Sequence, residues 1–205
     1  MIFKLRLDVR HGRTYKKKDL AMEYKIATLE DIDATLKLHA KYQIDTIKEE
    51  DKKDGFVTTA FTKEELRKLI LQEQGLFIAK DGNEVVAYVM SASWQFWSQW
   101  AMFAYMIKDL PNLSYKGMQI DIKNSYQYGP ICIDKKVRGT KVLPSIFRFA
   151  LKYMSKRYPI LITFVNQINP RSFHAHTQKL GLDVIKEFEF NGNRYWELGC
   201  LTKSD

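Results

Sequence analysis

The stretch YGPICIDKKVRGTKVLPSIFRFALKYM, Tyr128 to Met154, decides how this chain is read. It opens on the apolar run Ile131-Cys132-Ile133, which predicts a buried strand. A polar, glycine-bearing turn follows from Asp134 to Lys141. Ile146, Phe149, Ala150, Tyr153 and Met154 then recur at i, i+3, i+4, i+7 and i+8, the period of a helix with one buried face. Pro144 suits the first turn of that helix, where no N–H is needed. Strand, basic turn and helix start together make an anion site, because the first-turn amides are unpaired and carry the positive end of the helix dipole. Arg138 and Lys141 add formal positive charge beside them.

A mononucleotide phosphate or the pyrophosphate of coenzyme A would suit such a turn. Neither G-x-x-x-x-G-K-[ST] nor G-x-G-x-x-G occurs. The stretch Ile133, Asp134, Lys135, Lys136, Val137, Arg138, Gly139, Thr140, Lys141, Val142, Leu143 resembles the signature of the GNAT superfamily of N-acetyltransferases, roughly V-x-P-x-x-R-G-x-G-x-G/A. Arg138 and Gly139 fit the pattern. Lys141 and Leu143 stand where the family prefers glycine, and glycine or alanine. An ordinary strand-to-helix turn with solvated lysines is the plain alternative.

A second landmark agrees. NPRSFHAHTQKLGL, Asn169 to Leu182, follows the apolar run Ile160–Val165 and resembles the family's N-x-x-[AS] helix that ends in G-F. Asn169 suits an N-cap, Pro170 the first helical position and Gly181 the C-terminal stop. Leu182–Phe190 and Asn193–Leu198 around Asn191-Gly192 predict a hairpin with a type I′ turn. The resemblance is close over the last third of the chain, and the order of the earlier elements agrees with it.

The resemblance implies an α/β (α+β) fold: a central, mostly antiparallel mixed sheet flanked by helices, with acetyl-CoA as cosubstrate and no metal. It puts Arg138, Gly139, Thr140, Lys141, Val142 and Leu143 around the pyrophosphate, backbone groups of Ile131 and Ile133 along the pantetheine arm, and Asn169 and Ser172 at the cofactor. Many relatives use a tyrosine on the following helix as the acid for the leaving thiolate, and none stands there in this chain. Counting from Asn169 puts His176 in that slot, whereas counting back from Gly181 puts Thr177. His176 is the better chemical candidate, since imidazole titrates near neutrality; a surface helix histidine is the plain reading. His174 and His176 at i and i+2 point to different helix faces and make a poor metal pair. Tyr126, Tyr128, Asp134, Glu187 and Glu189 are candidate bases, with none singled out. Cys132 reads as core.

The rest of the chain fits one domain. Its 205 residues are 45% hydrophobic and 28% charged, an ordinary globular composition. No run approaches a membrane span, and MIFKLRLDVR is no signal peptide. Cys132 and Cys200 make no disulfide framework, so a reduced, cytoplasmic protein is the simplest expectation. Residues 1–21 carry Lys4, Arg6, Arg10, Arg13, Lys16, Lys17 and Lys18 against Asp8 and Asp19, more than half of the formal +9 charge. They read as a basic N-terminal extension to a domain over 22–205. A short solvated tail explains them more simply than a nucleic-acid-binding arm.

Tyr24–Ala27 predicts the first strand and Asp31–Tyr42 a helix, with Thr28-x-x-Asp31 as a capping box; Thr62-x-x-Glu65 caps a second helix carrying Leu66, Leu69 and Ile70. Between these helices, Asp45–Gly55 reads as a mobile polar loop. Leu76–Lys80 and Glu84–Ser93 make a hairpin about Asp81-Gly82-Asn83. The segment WQFWSQWAMFAYM then places six aromatic residues between Trp94 and Tyr105 and reads as an aromatic-rich insertion before the cofactor-binding strand. Its rings could line an acceptor pocket, or cover core or a homodimer interface. The expected activity is acetyl transfer to a primary amine of a small molecule or peptide. The alternative is a degenerate acyl-CoA-binding or interaction module without turnover.

Overall fold

The computed structural model describes residues 22–52 and 55–203. The basic extension, residues 1–21, lies outside the described residues. The first half of the chain comprises β1 (Glu23–Ile26), α1 (Ile32–Tyr42), α2 (Glu49–Lys52), α3 (Lys63–Lys68), β2 (Leu76–Asp81) and β3 (Glu84–Ala92). Next come α4 (Trp94–Trp97), α5 (Ala101–Asp109) and a two-stranded hairpin, β4 (Ser114–Tyr115) with β5 (Met118–Gln119). Then follow β6 (Ser125–Ile133), α6 (Val142–Met154), β7 (Ile160–Asn166), α7 (Pro170–His174), β8 (Asp183–Phe190) and β9 (Asn193–Leu201).

The main sheet has seven strands in the order β1-β2-β3-β6-β7-β9-β8. Every neighbouring pair is antiparallel except β6 with β7. Because successive strand residues face opposite sides, the central strands feed two cores. On one side Ile78, Tyr88, Met90, Cys132 and Ile162 pack with α1, α3 and the aromatic segment. On the other, Phe77, Ala79, Val89, Tyr126, Tyr128 and Leu161 pack under α6 through Ile146, Phe147, Ala150 and Met154. Both faces of β3 are buried, which is why it reads as a continuous apolar run.

The capping boxes form as the sequence predicts. The Asp31 carboxylate accepts from the Thr28 amide (2.9 Å), and the Glu65 carboxylate accepts from the Thr62 amide (2.7 Å). Asn191 and Gly192 both have positive φ, 48° and 71°, as a type I′ turn requires. The stretch expected as a mobile polar loop instead holds α2 and a buried Ile47. Glu49, Glu50 and Asp51 occupy the first turn of α2, where the dipole stabilises them.

Candidate active site

The parallel ladder between β6 and β7 runs only through Ser125–Ile160, Tyr126–Leu161 and Gln127–Ile162, and then the strands part. The cause is local to β6. Against β3 its register slips between the pairs Val89–Ile131 and Ser91–Tyr128, leaving one extra residue on β6, a bulge. Pro130 has no N–H to contribute to a ladder there, and Gly129 sits at φ 106°, a conformation that side chains rarely adopt. Two cavities open where the strands separate, of about 170 Å³ and about 350 Å³. Both are bordered by Phe56, Val57, Ile131, Asn169, Ser172 and His176, so they meet at these residues.

The smaller cavity is bounded by the basic turn. Gly139 takes φ 78°, and a Cβ there would meet nothing within 4 Å, so the backbone is bare on that side. The Arg138 Nε donates to the Ile133 carbonyl (2.9 Å), and its guanidinium lies 4.8 Å from the centre of the Tyr42 ring. The Tyr42 hydroxyl in turn accepts from the Lys135 amide (2.7 Å). Asp134, 2% exposed, receives the Lys136 amide (3.0 Å) and the Lys41 ammonium (2.9 Å). Burial opposes ionisation of Asp134, but these donors outweigh it and hold its carboxyl below the usual range. The turn is thereby tied to α1. Lys141, which stands where the resembled signature has glycine, has φ −75° and ψ 0°, ordinary helical backbone that needs no glycine.

His176 stands at the junction of the cavities and is 5% exposed. Its Nδ1 lies 2.8 Å from the Ser172 carbonyl, which can only accept, so Nδ1 carries the proton and Nε2 the lone pair. Burial pushes the imidazole pKa down, with the Ser172 carbonyl partly offsetting it. The ring packs edge-on against Tyr128 at 5.8 Å. After α7 the backbone widens into a π turn over Ala175–Lys179, closed by the Leu180 amide on the Ala175 carbonyl (3.1 Å). That turn absorbs the extra residue between Asn169 and Gly181. It leaves His176 facing the cavities, while Thr177 borders neither and donates to the Phe173 carbonyl (2.9 Å).

Of the residues assigned to the cofactor from sequence, Ile131, Ile133, Arg138, Gly139, Thr140, Leu143, Asn169 and Ser172 border the smaller cavity. Lys141 and Val142 do not. Lys141 is exposed at the helix start, and Val142 is buried in the core with its amide on the Thr140 hydroxyl (3.3 Å). Arg171, His174 and Lys179, none of them assigned to the cofactor from sequence, also border this cavity. Arg171 and His174 share a face at i and i+3, but Lys179 lies within the π turn, where regular helical spacing gives no signal. Tyr42, Phe56 and Val57 left no signal either, because they come from segments far away in sequence. Asp134 serves the turn, and neither Glu187 nor Glu189 borders a cavity. Among the described residues no group of three or more His, Cys, Asp or Glu could hold a metal ion. None of their helices is long and apolar enough to cross a membrane.

The aromatic segment divides by face. Trp94 and Trp97 are fully buried; the Trp94 indole donates to Ser125 Oγ (2.9 Å) at the start of β6. Trp100 and Phe103 instead border the larger cavity, together with Phe164 and Tyr195 from β7 and β9. Gln127 borders it where the β6–β7 ladder ends, with Nε2 on the Tyr128 carbonyl (2.7 Å) and Oε1 buried without a partner among the described residues.

No protein-family model matches the chain, and no curated protein matches it by sequence. Solved structures do. A Salmonella typhimurium protein solved with its cofactor acetyl-CoA superposes with a TM-score of 0.60 at 10% identity, covering 90% of this chain and 96% of that one. An acetyltransferase of the GNAT family from Streptococcus pneumoniae gives 0.58 at 12% identity, over 88% and 98% of the two chains. The ribosomal-protein-S18-alanine N-acetyltransferase of Escherichia coli gives 0.56 at 8% identity, over 90% and 96%. The seven-stranded, mostly antiparallel sheet flanked by helices is thus the fold of the GNAT acetyltransferases.

Proposed function

We propose that the chain is an N-acetyltransferase that moves an acetyl group from acetyl-CoA directly to a primary amine. The observation that carries this reading is the meeting of two unlike cavities at one histidine. One is bordered by Arg138, Arg171, Lys179 and the bare backbone of Gly139, which suits a pyrophosphate. Among the described residues the other has no formal charge on its border, and His176 borders it too. Acetyl-CoA supplies the acyl group as a thioester. The parted edges of β6 and β7 beyond Gln127 and Ile162 offer backbone groups to its arm.

His176 has one role available to a neutral ring with Nδ1–H fixed on Ser172: Nε2 accepts the proton lost by the amine as its nitrogen bonds to the acyl carbon. The C–S bond breaks, and the imidazolium then returns that proton to the departing sulfur. The acid slot that the family gives to tyrosine is thus filled by a base that becomes the acid. Two measurements test this. Coenzyme A should raise the melting temperature by mass action, and pantetheine, which lacks the pyrophosphate, should do so much less. Thiol release from acetyl-CoA across a panel of amines should then reveal turnover that His176→Gln lowers by roughly 10²–10⁴-fold, the span of general acid–base catalysis. Binding of coenzyme A with no turnover on any amine would establish the acyl-CoA-binding module instead.

A further inference from the structure

Resting on the acetyltransferase reading, we infer that the acceptor is a monoamine on an aromatic or apolar body, carrying no second charge. The larger cavity is where the structure makes a choice. Its border includes four aromatic rings that converge from three elements: Trp100 and Phe103 of α5 and its N-cap, Phe164 of β7, and Tyr195 of β9. These rings pack on one another, with centroids 5.7 Å apart for Phe103 with Phe164 and 5.6 Å for Phe164 with Tyr195. They form one continuous apolar wall. Among the described residues no Asp, Glu, Lys or Arg borders the cavity.

A polyamine or aminoglycoside would have to strip water from its remaining ammonium groups with no carboxylate to receive them. An amino acid would bring a carboxylate with no cation to meet it. Uncompensated charges of that kind are expensive to desolvate, whereas a hydrocarbon or aryl body gains from leaving water. Among the described residues two bordering side chains keep a buried polar atom without a partner, the Tyr128 hydroxyl and Gln127 Oε1, and of these the Gln127 oxygen can only accept. An amine N–H supplies the donor, and it does so at the end of the cavity where β6 and β7 part. The cavity, about 350 Å³, is at the lower end of small-ligand sites and is shared with the arm seated along β6 and β7, so the room left suits only a compact amine.

The test compares phenethylamine and tryptamine with spermidine, lysine, kanamycin and a short peptide with an apolar N-terminal residue. Each is assayed for acetyl-CoA-dependent thiol release and, separately, for binding to the coenzyme A complex by calorimetry. The arylalkylamines should exceed every multiply charged amine and the peptide by roughly 10²-fold or more in kcat/KM. Trp100→Ala should raise their KM about tenfold while leaving coenzyme A affinity unchanged. Met102, half-buried on the cavity border, offers a gain-of-function arm: Met102→Glu supplies a counter-charge and should shift preference toward spermidine at least about tenfold. Faster acetylation of a charged amine or the peptide by the natural chain would overturn the inference while leaving the transferase reading intact. Arylalkylamines that bind without being acetylated, and lose binding in Trp100→Ala, would support the ligand class and sink the transferase reading. If no arylalkylamine binds, the inference is wrong.

Discussion

Trp97 offers the sharpest separation of packing from polar satisfaction in this fold. It is fully buried, and its ring centroid lies 4.8 Å from Phe103, 5.0 Å from Phe96, 5.4 Å from Trp100 and 6.1 Å from Phe61. Yet its indole Nε1 is buried with no hydrogen-bond partner among the described residues. A buried tryptophan removes about 150–250 Å² from water. At ~25 cal/mol per Å² that is worth about 4–6 kcal/mol. Trp97→Ala leaves part of that apolar surface covered by its neighbours, so a loss of about 3–5 kcal/mol is expected. Against a total stability of about 5–15 kcal/mol, that brings the chain near unfolding. Trp97→Phe keeps most of the ring contacts and deletes the stranded donor, whose burial costs about 1–3 kcal/mol. The two effects nearly cancel, and a change within about 1.5 kcal/mol is expected. Urea denaturation of the three proteins reads this directly, provided the m-value stays constant. If Trp97→Phe costs as much as Trp97→Ala, the indole N–H has a partner, and the reasoning about this ring fails.

Glu197 is 1% exposed, with Lys186 Nζ at 3.6 Å; burial pushes its carboxyl up to about 7, because Lys186 is shared with Asp109 and repays only part of the desolvation. A raised carboxyl pKa means that the native chain holds an extra proton between about 4.5 and about 7, so stability falls as pH rises through that window, by about 2–3 kcal/mol. The melting temperature should be higher at pH 5.5 than at pH 8, and Glu197→Gln should flatten that difference; an unchanged slope would refute the assignment. Gly75→Ala should be severely destabilising, by more than about 3 kcal/mol, because its Cβ would lie 1.8 Å from the Ser91 carbonyl oxygen. A normal melting temperature in that variant would mean that β3 does not run as described. Tyr42→Phe removes the hydroxyl that accepts from the Lys135 amide and should cost about 1–3 kcal/mol and loosen the basic turn. Coenzyme A affinity should fall with it, and unchanged calorimetric affinity would show that the tie between α1 and the turn does not shape the cavity.

Much of this was legible in the sequence where local chemistry decides structure. Thr28, Thr62 and Asn169 announced their helices through caps, Asn191-Gly192 its hairpin, and the period from Ile146 to Met154 the buried face of α6. The basic turn was legible because Arg138 and Gly139 are neighbours in sequence. Other features depend on meetings that spacing does not encode. Tyr42 reaches the turn from 96 positions before Arg138, and Phe56 and Val57 reach both cavities from the segment after α2. The ambiguity between His176 and Thr177 was a question of helical phase. Counting assumes 3.6 residues per turn throughout, and the π turn over Ala175–Lys179 breaks that assumption. The acidic residues over 45–51 suggested a loop because their charge was weighed without the dipole of a short helix.

The short pairing between β6 and β7 has a mechanical meaning. Only three residue pairs stitch the four-stranded blade β1-β2-β3-β6 to the three-stranded blade β7-β9-β8, so the sheet has a seam at its centre. The stretch from α5 to β5 crosses that seam as a strap. The Tyr115 hydroxyl donates to Asp183 (2.6 Å), Asp109 pairs with Lys186, and Tyr105 packs on Phe188 and Phe190. Under load or partial unfolding, the two blades should therefore come apart as units, with amides along Ser125–Gln127 exchanging well before those in the middle of β3. A ligand lodged between the parted strands touches both blades, so it would act as an added stitch across a joint that the backbone leaves nearly open.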